Sequence, residues 1–106
     1  MDSTTMTALL AKAKVALRIS SSNTAFDDEI KDILSAAYSD LEKTAGINMD
    51  GFYADSAFDP LLLRAVLTYT RMQFGEPSDY DRLKESYWTQ KAQLQSCSGY
   101  GLEAGD

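Results

Sequence analysis

The chain has 106 residues, 44% apolar and 25% charged, which fits one globular domain with a modest core and excludes a second. It contains no histidine and a single cysteine, Cys97, which removes the commonest general base, Ser-His and Cys-His nucleophile pairs, histidine metal sites, disulfide frameworks and thiolate clusters. Ten Lys and Arg against 16 Asp and Glu leave a net charge of −6, the wrong sign for holding nucleic acid by phosphate neutralisation.

Apolar periodicity predicts four helices and no alternating strand pattern, hence an all-α fold. Met6, Leu9, Leu10, Ala13 and Leu17 form one helical stripe, with Lys12, Lys14 and Arg18 lying off it. Residues 20–23 break that pattern. Thr24 and Asp27 have the spacing of a capping box, and Asp27, Asp28 and Glu29 suit the positive end of a helix dipole. The second stripe, Phe26, Ile30, Ile33, Leu34, Ala37, Leu41 and Ala45, runs to Gly46, a left-handed stop.

Periodicity then vanishes over residues 46–58, the longest loop. Asp50-Gly51 suggests a tight turn, and the segment has room for a short hairpin. Its aromatics, Phe52, Tyr53 and Phe58, admit two readings: a contact element for a partner, or a local lid folded back on the helices. Asp59-Pro60 marks a third helix start, acid at the N-cap and proline at the first helical position. That helix is apolar almost all round, with Arg64, Thr68 and Arg71 as its polar strip. Its side bearing Leu63, Leu67, Thr70 and Phe74 is therefore a candidate intersubunit contact, the alternative being the centre of the bundle.

Gly75, Glu76 and Pro77 break the chain, and Ser78 with Asp81 resembles a second capping pair. Tyr80, Leu83, Tyr87 and Leu94 mark a fourth helix, with Trp88 beside the stripe as an edge or partner contact. Residues 1–94 are thus expected to form the helical domain. Residues 95–106, rich in Ser and Gly and containing Tyr100, are expected to form a flexible tail.

No constellation for catalysis emerges. Asp27, Asp28, Glu29 and Asp32 are better explained as a solvated, dipole-matched helix start than as a magnesium or calcium cluster, because three of them are consecutive and point around the helix. Gly99 and Gly101 lack the third glycine of a dinucleotide loop, and no P-loop lysine is present. The reading is no enzyme, no cofactor and no metal. The longest uncharged stretch, residues 92–102, is eleven residues and mostly polar, against the roughly 20 apolar ones of a membrane span. Residues 1–11 lack a signal peptide's basic and apolar regions, so the protein is expected to stay where it is made. Charge is uneven, with nine acids against Lys31 and Lys43 over residues 27–59.

The run Val15-Ala16-Leu17-Arg18-Ile19, the helix start Phe26-Asp27-Asp28-Glu29-Ile30, the stop Ala45-Gly46-Ile47, and Asp59-Pro60-Leu61 carry a resemblance, together with Tyr69, Phe74-Gly75-Glu76 and Leu83-Lys84-Glu85-Ser86-Tyr87. With them the chain resembles the small head-tail connector, or adaptor, proteins of long-tailed double-stranded DNA phages and prophages, over about residues 13–94. The resemblance implies a subunit made in the bacterial cytoplasm and built into the virion neck as a twelvefold ring beneath the portal protein. Such a ring extends the DNA channel and docks the stopper, or head-completion, protein, with no catalysis and no sequence-specific DNA binding.

Contact candidates on that reading are Lys12, Lys14 and Arg18 against acids of the next subunit such as Asp28 and Asp32. Phe52, Tyr53 and Phe58 belong to the loop, Leu63, Leu67 and Phe74 to the third helix, Trp88 to the fourth and Tyr100 to the tail. The competing reading is a small acidic helical module that binds a basic protein as a monomer or dimer; a carboxylate-only hydrolase is a third.

Overall fold

The computed structural model describes residues 1–75 and 77–96, and within them the chain is all-α apart from one very short hairpin. Helix α1 (Ser3–Leu17) starts at Asp2, whose carboxylate accepts from the Thr5 amide at 2.8 Å. It ends at Arg18, which takes up a left-handed conformation (φ 61°) while the Ile19 amide reaches back to the Lys14 carbonyl at 2.8 Å.

Helix α2 (Asp27–Ser39) begins without the expected capping box. Phe26 holds the N-cap position with no side-chain bond, and Asp27 is tied to Thr24 only through backbone, because the Asp27 carboxylate points to Lys14 instead. The three acids of its first turn still face the positive end of the dipole. The helix continues into a wide π turn, Asp40–Thr44, where the Ala45 amide bonds the Asp40 carbonyl at 2.9 Å. Gly46 then turns left-handed (φ 69°), and Ile47 drops back into the core.

The loop that follows is stitched down. Asn48 accepts from the Asp50 amide at 2.9 Å, and Asp59 N–H donates to the Phe52 carbonyl at 2.9 Å. Between those ties strands β1 (Tyr53–Ala54) and β2 (Ala57–Phe58) pair antiparallel, Tyr53 opposite Phe58. Asp55 and Ser56 both have positive φ, 54° and 61°, which makes the two-residue connection a type I′ turn.

Helix α3 (Pro60–Gln73) starts as its sequence predicts, Asp59 accepting from the Leu61 and Leu62 amides at 3.0 and 3.2 Å. It packs against α1, α2 and α4, and so forms the centre of the bundle. Helix α4 (Tyr80–Ser96) begins at Asp79, whose carbonyl accepts from the Leu83 amide at 3.0 Å. The core joins Leu9 and Ala13 of α1, Ile30 and Leu34 of α2, Leu62 and Val66 of α3, and Leu83 and Leu94 of α4.

Thr68 and Thr70 are also buried, contrary to the polar strip expected for Thr68. Each hydroxyl donates to the carbonyl one turn back, Arg64 and Val66 respectively, so it enters the core already satisfied. Gln95 and Ser96, expected in the tail, belong to α4, and Gln95 Nε2 donates to the Ala45 carbonyl at 2.8 Å. Residues 97–106, with Cys97 and Tyr100, lie outside the described residues.

Candidate contact surfaces

Among the described residues, one set of buried polar side chains is linked through a shared carboxylate. Asp40, at the start of the π turn, accepts at Oδ2 from the Tyr87 hydroxyl at 2.5 Å and from Lys91 Nζ at 3.1 Å. Lys91 is only 5% exposed, and its ammonium also stands 5.0 Å from the Tyr87 ring centre and 4.0 Å from that of Trp88. Burial opposes ionisation of Asp40, but the bonds from Tyr87 and Lys91 outweigh it and hold the carboxyl below its ordinary range. Burial, and then the bond to Asp40, pushes the Tyr87 hydroxyl well above a phenol's ordinary range. Burial also raises the Tyr69 hydroxyl, aided by the charge of Asp40.

The result is a carboxylate that accepts from a neutral phenol and from an ammonium, which ties α4 to the end of α2. Among the described residues no group of three or more acidic or thiol side chains is placed to hold a metal ion. No described helix is long and apolar enough to cross a membrane.

Lys14 is the second buried cation and departs from expectation. It is 6% exposed, with Nζ in an ion pair 2.6 Å from Asp27 Oδ1. It therefore pins α1 to the start of α2 inside its own chain and offers no charge to a neighbour. Residues 10, 14 and 17 share a helix face, so Lys14 lies on the edge of the apolar stripe and not off it. Lys12 and Arg18 remain exposed on α1, as do Asp28 and Asp32 on the outer side of α2.

Phe52 is likewise removed from the surface candidates. It is buried, with its ring 5.7 Å from Tyr38 and 5.0 Å from Phe58, so this part of the loop folds back as a lid. Tyr53 and Phe58 are half-buried, their rings 4.5 Å apart across the hairpin. Phe74 is half-buried against the edge of the exposed Phe26, ring centres 5.6 Å apart. Trp88 is 58% exposed.

Leu63 and Leu67 are half-covered and line a groove of about 350 Å³ between α3 and Ala16 of α1, with Arg64 and Arg71 beside them. Thr70, placed with them by sequence, points inward. The structure thus brings Leu63 and Leu67 together with two arginines in a groove whose lining includes neither Trp88 nor the hairpin aromatics.

Sequence reasoning missed the Asp40, Tyr87 and Lys91 set. Its signal was present: residues 83, 87, 91 and 94 fall on one stripe, and Lys91 occupies an apolar position in it. A lysine there demands a buried anion, but whether Asp40 or the neighbouring Glu42 supplies it is decided by the fold.

Residues 9–101 match the family model described as phage connector protein. No curated protein and no solved structure matches the chain. The family match spans more than four-fifths of the sequence, from within α1 through the end of α4. The chain belongs to the phage connector protein family, a structural family of the virion.

Proposed function

We propose that the protein is a head-tail connector subunit, twelve copies of which form a ring beneath the portal protein. The ring extends the DNA channel and presents a platform for the stopper, or head-completion, protein. The observation that supports this best is the family match over residues 9–101, combined with a central helix whose Leu63 and Leu67 side its own chain leaves half covered. A closed ring needs two different patches per subunit, and a subunit with a modest core gains cover from its neighbours.

The hairpin edge at Tyr53 and Phe58 serves as one axial contact, and residues 97–106, with Tyr100, as the other toward the portal. A net charge of −6 lets DNA pass without adhering, because like charge removes the phosphate-neutralisation contribution to binding. Sequence-specific DNA binding and catalysis have no part in this role.

The test is assembly on purified portal, followed by mass measurement and electron microscopy. A ring of connector on the portal's axis is expected. A chain that remains monomeric in the presence of portal overturns the reading and favours the acidic interaction module.

A further inference from the structure

Charge in this chain is sorted by element. Helices α1 and α3 contain no acid within their bounds; they carry Lys12, Lys14, Arg64 and Arg71, with Arg18 at the end of α1. Helix α2 carries Asp27, Asp28, Glu29 and Asp32 against Lys31 alone. Lys14 and Asp27 neutralise each other internally, which leaves Lys12, Arg18, Arg64 and Arg71 as the cations along α1 and α3, and Asp28, Glu29 and Asp32 as a surplus of anions over Lys31 on α2.

These two charged surfaces face away from each other. Helix α2 buries Ile30, Leu34 and Ala37, and at 100° per residue Asp28 and Asp32 stand opposite that face. Helix α3 buries Leu62, Ala65 and Val66, which puts Pro60, Arg64, Leu67 and Arg71 on its outer side. Because α2 and α3 pack against each other through the buried faces, the acidic stripe and the basic groove sit on opposite sides of the pair.

We infer that the groove between α1 and α3 receives the acidic outer face of α2 from a second copy of this chain, Arg64 and Arg71 meeting Asp28 and Asp32 over Leu63 and Leu67. This inference rests on the ring reading and names its lateral junction. Several features fit one occupant. The groove has an apolar floor with cationic sides, so it suits an acidic helix. The acidic helix of this chain, α2, is exposed at Asp28 and Asp32, and neither is in an ion pair among the described residues. Opposite placement of two unlike patches gives a head-to-tail contact, which repeats around a ring and does not close as a two-fold dimer. Complementary charge also fixes the register of such a contact and rejects the reversed one.

The test uses two double variants of the full chain, Arg64→Glu with Arg71→Glu and Asp28→Lys with Asp32→Lys. All four positions are exposed, and thermal melting by circular dichroism checks that both variants fold. On portal, each variant alone is expected to lose the ring, because every junction then sets like charges together. An equal mixture of the two is expected to restore it, with the variants alternating, since every junction again pairs opposite charges.

If either variant assembles as the unmodified chain does, or if the mixture fails to assemble, the junction is overturned while the ring reading stands. If the unmodified chain itself makes no ring on portal, the ring reading fails first and takes this junction with it. Binding of a short DNA duplex or of an unrelated acidic peptide that is lost in the arginine variant alone, with the aspartate variant forming normal rings, assigns the groove to that ligand and also overturns the inference.

Discussion

Asp40 carries the only described link in which one carboxylate satisfies two buried donors, and removing it exposes both. Asp40→Asn leaves the Lys91 ammonium buried without its anion, which is expected to lower stability by about 2 kcal/mol at neutral pH. The pH dependence follows from the depressed carboxyl. Asp40 ionises more readily folded than unfolded, so its contribution is fully present above the unfolded value of about 3.9 and is lost as pH falls through the lower folded value. Urea unfolding of both proteins from neutral to strongly acidic pH should show the gap between them narrowing only below about pH 4; a gap constant across that range contradicts the assignment. This residue-level chemistry was the least legible part of the sequence. An isolated buried lysine can be noticed from its stripe, as with Lys91, but its partner lies 51 positions away and is chosen by how α2 and α4 meet. Lys14 illustrates the same limit, since its long stem lets it sit on an apolar edge while its ammonium reaches Asp27.

Helices were legible where short-range chemistry decides them. The third helix begins at Asp59-Pro60 as read, and the stripes of Ile30 with Leu34 and of Leu83 with Leu94 face the core. Asp59→Ala should remove a cap bonded to two amides and cost about 1 kcal/mol, measured as a lowered midpoint of thermal unfolding. Turns were legible only where glycine announces them. The Gly46 stop was readable, whereas Arg18, Asp55 and Ser56 adopt the left-handed conformation without a glycine, so the break after α1 and room for a hairpin could be read but not the residues that make the turns. The expected cap at Thr24 failed for a related reason: a side chain capable of capping Asp27's helix is overridden when the tertiary ion pair with Lys14 sets the direction of the chain there.

Across the whole molecule, the all-α architecture and the acidic balance were both open to the sequence, but the sorting of charge onto opposite sides became visible only when α2 and α3 were seen back to back. That arrangement predicts assembly that weakens with salt. At about 1 M ionic strength the screening length is about 3 Å, so exposed charge pairs contribute little, and rings on portal should dissociate or form only at higher protein concentration than at low salt, as read by analytical ultracentrifugation. Assembly indifferent to salt argues for a purely apolar junction. The chain also carries its own optical reporter of these events. Trp88 is the single tryptophan, more than half exposed and 4.0 Å beneath the Lys91 ammonium. Its emission is therefore coupled to the position of that cation and, through it, to Asp40, while its open ring face senses any neighbour that covers α4, so unlabelled protein reports both the integrity of the buried network and the arrival of a partner in one spectrum.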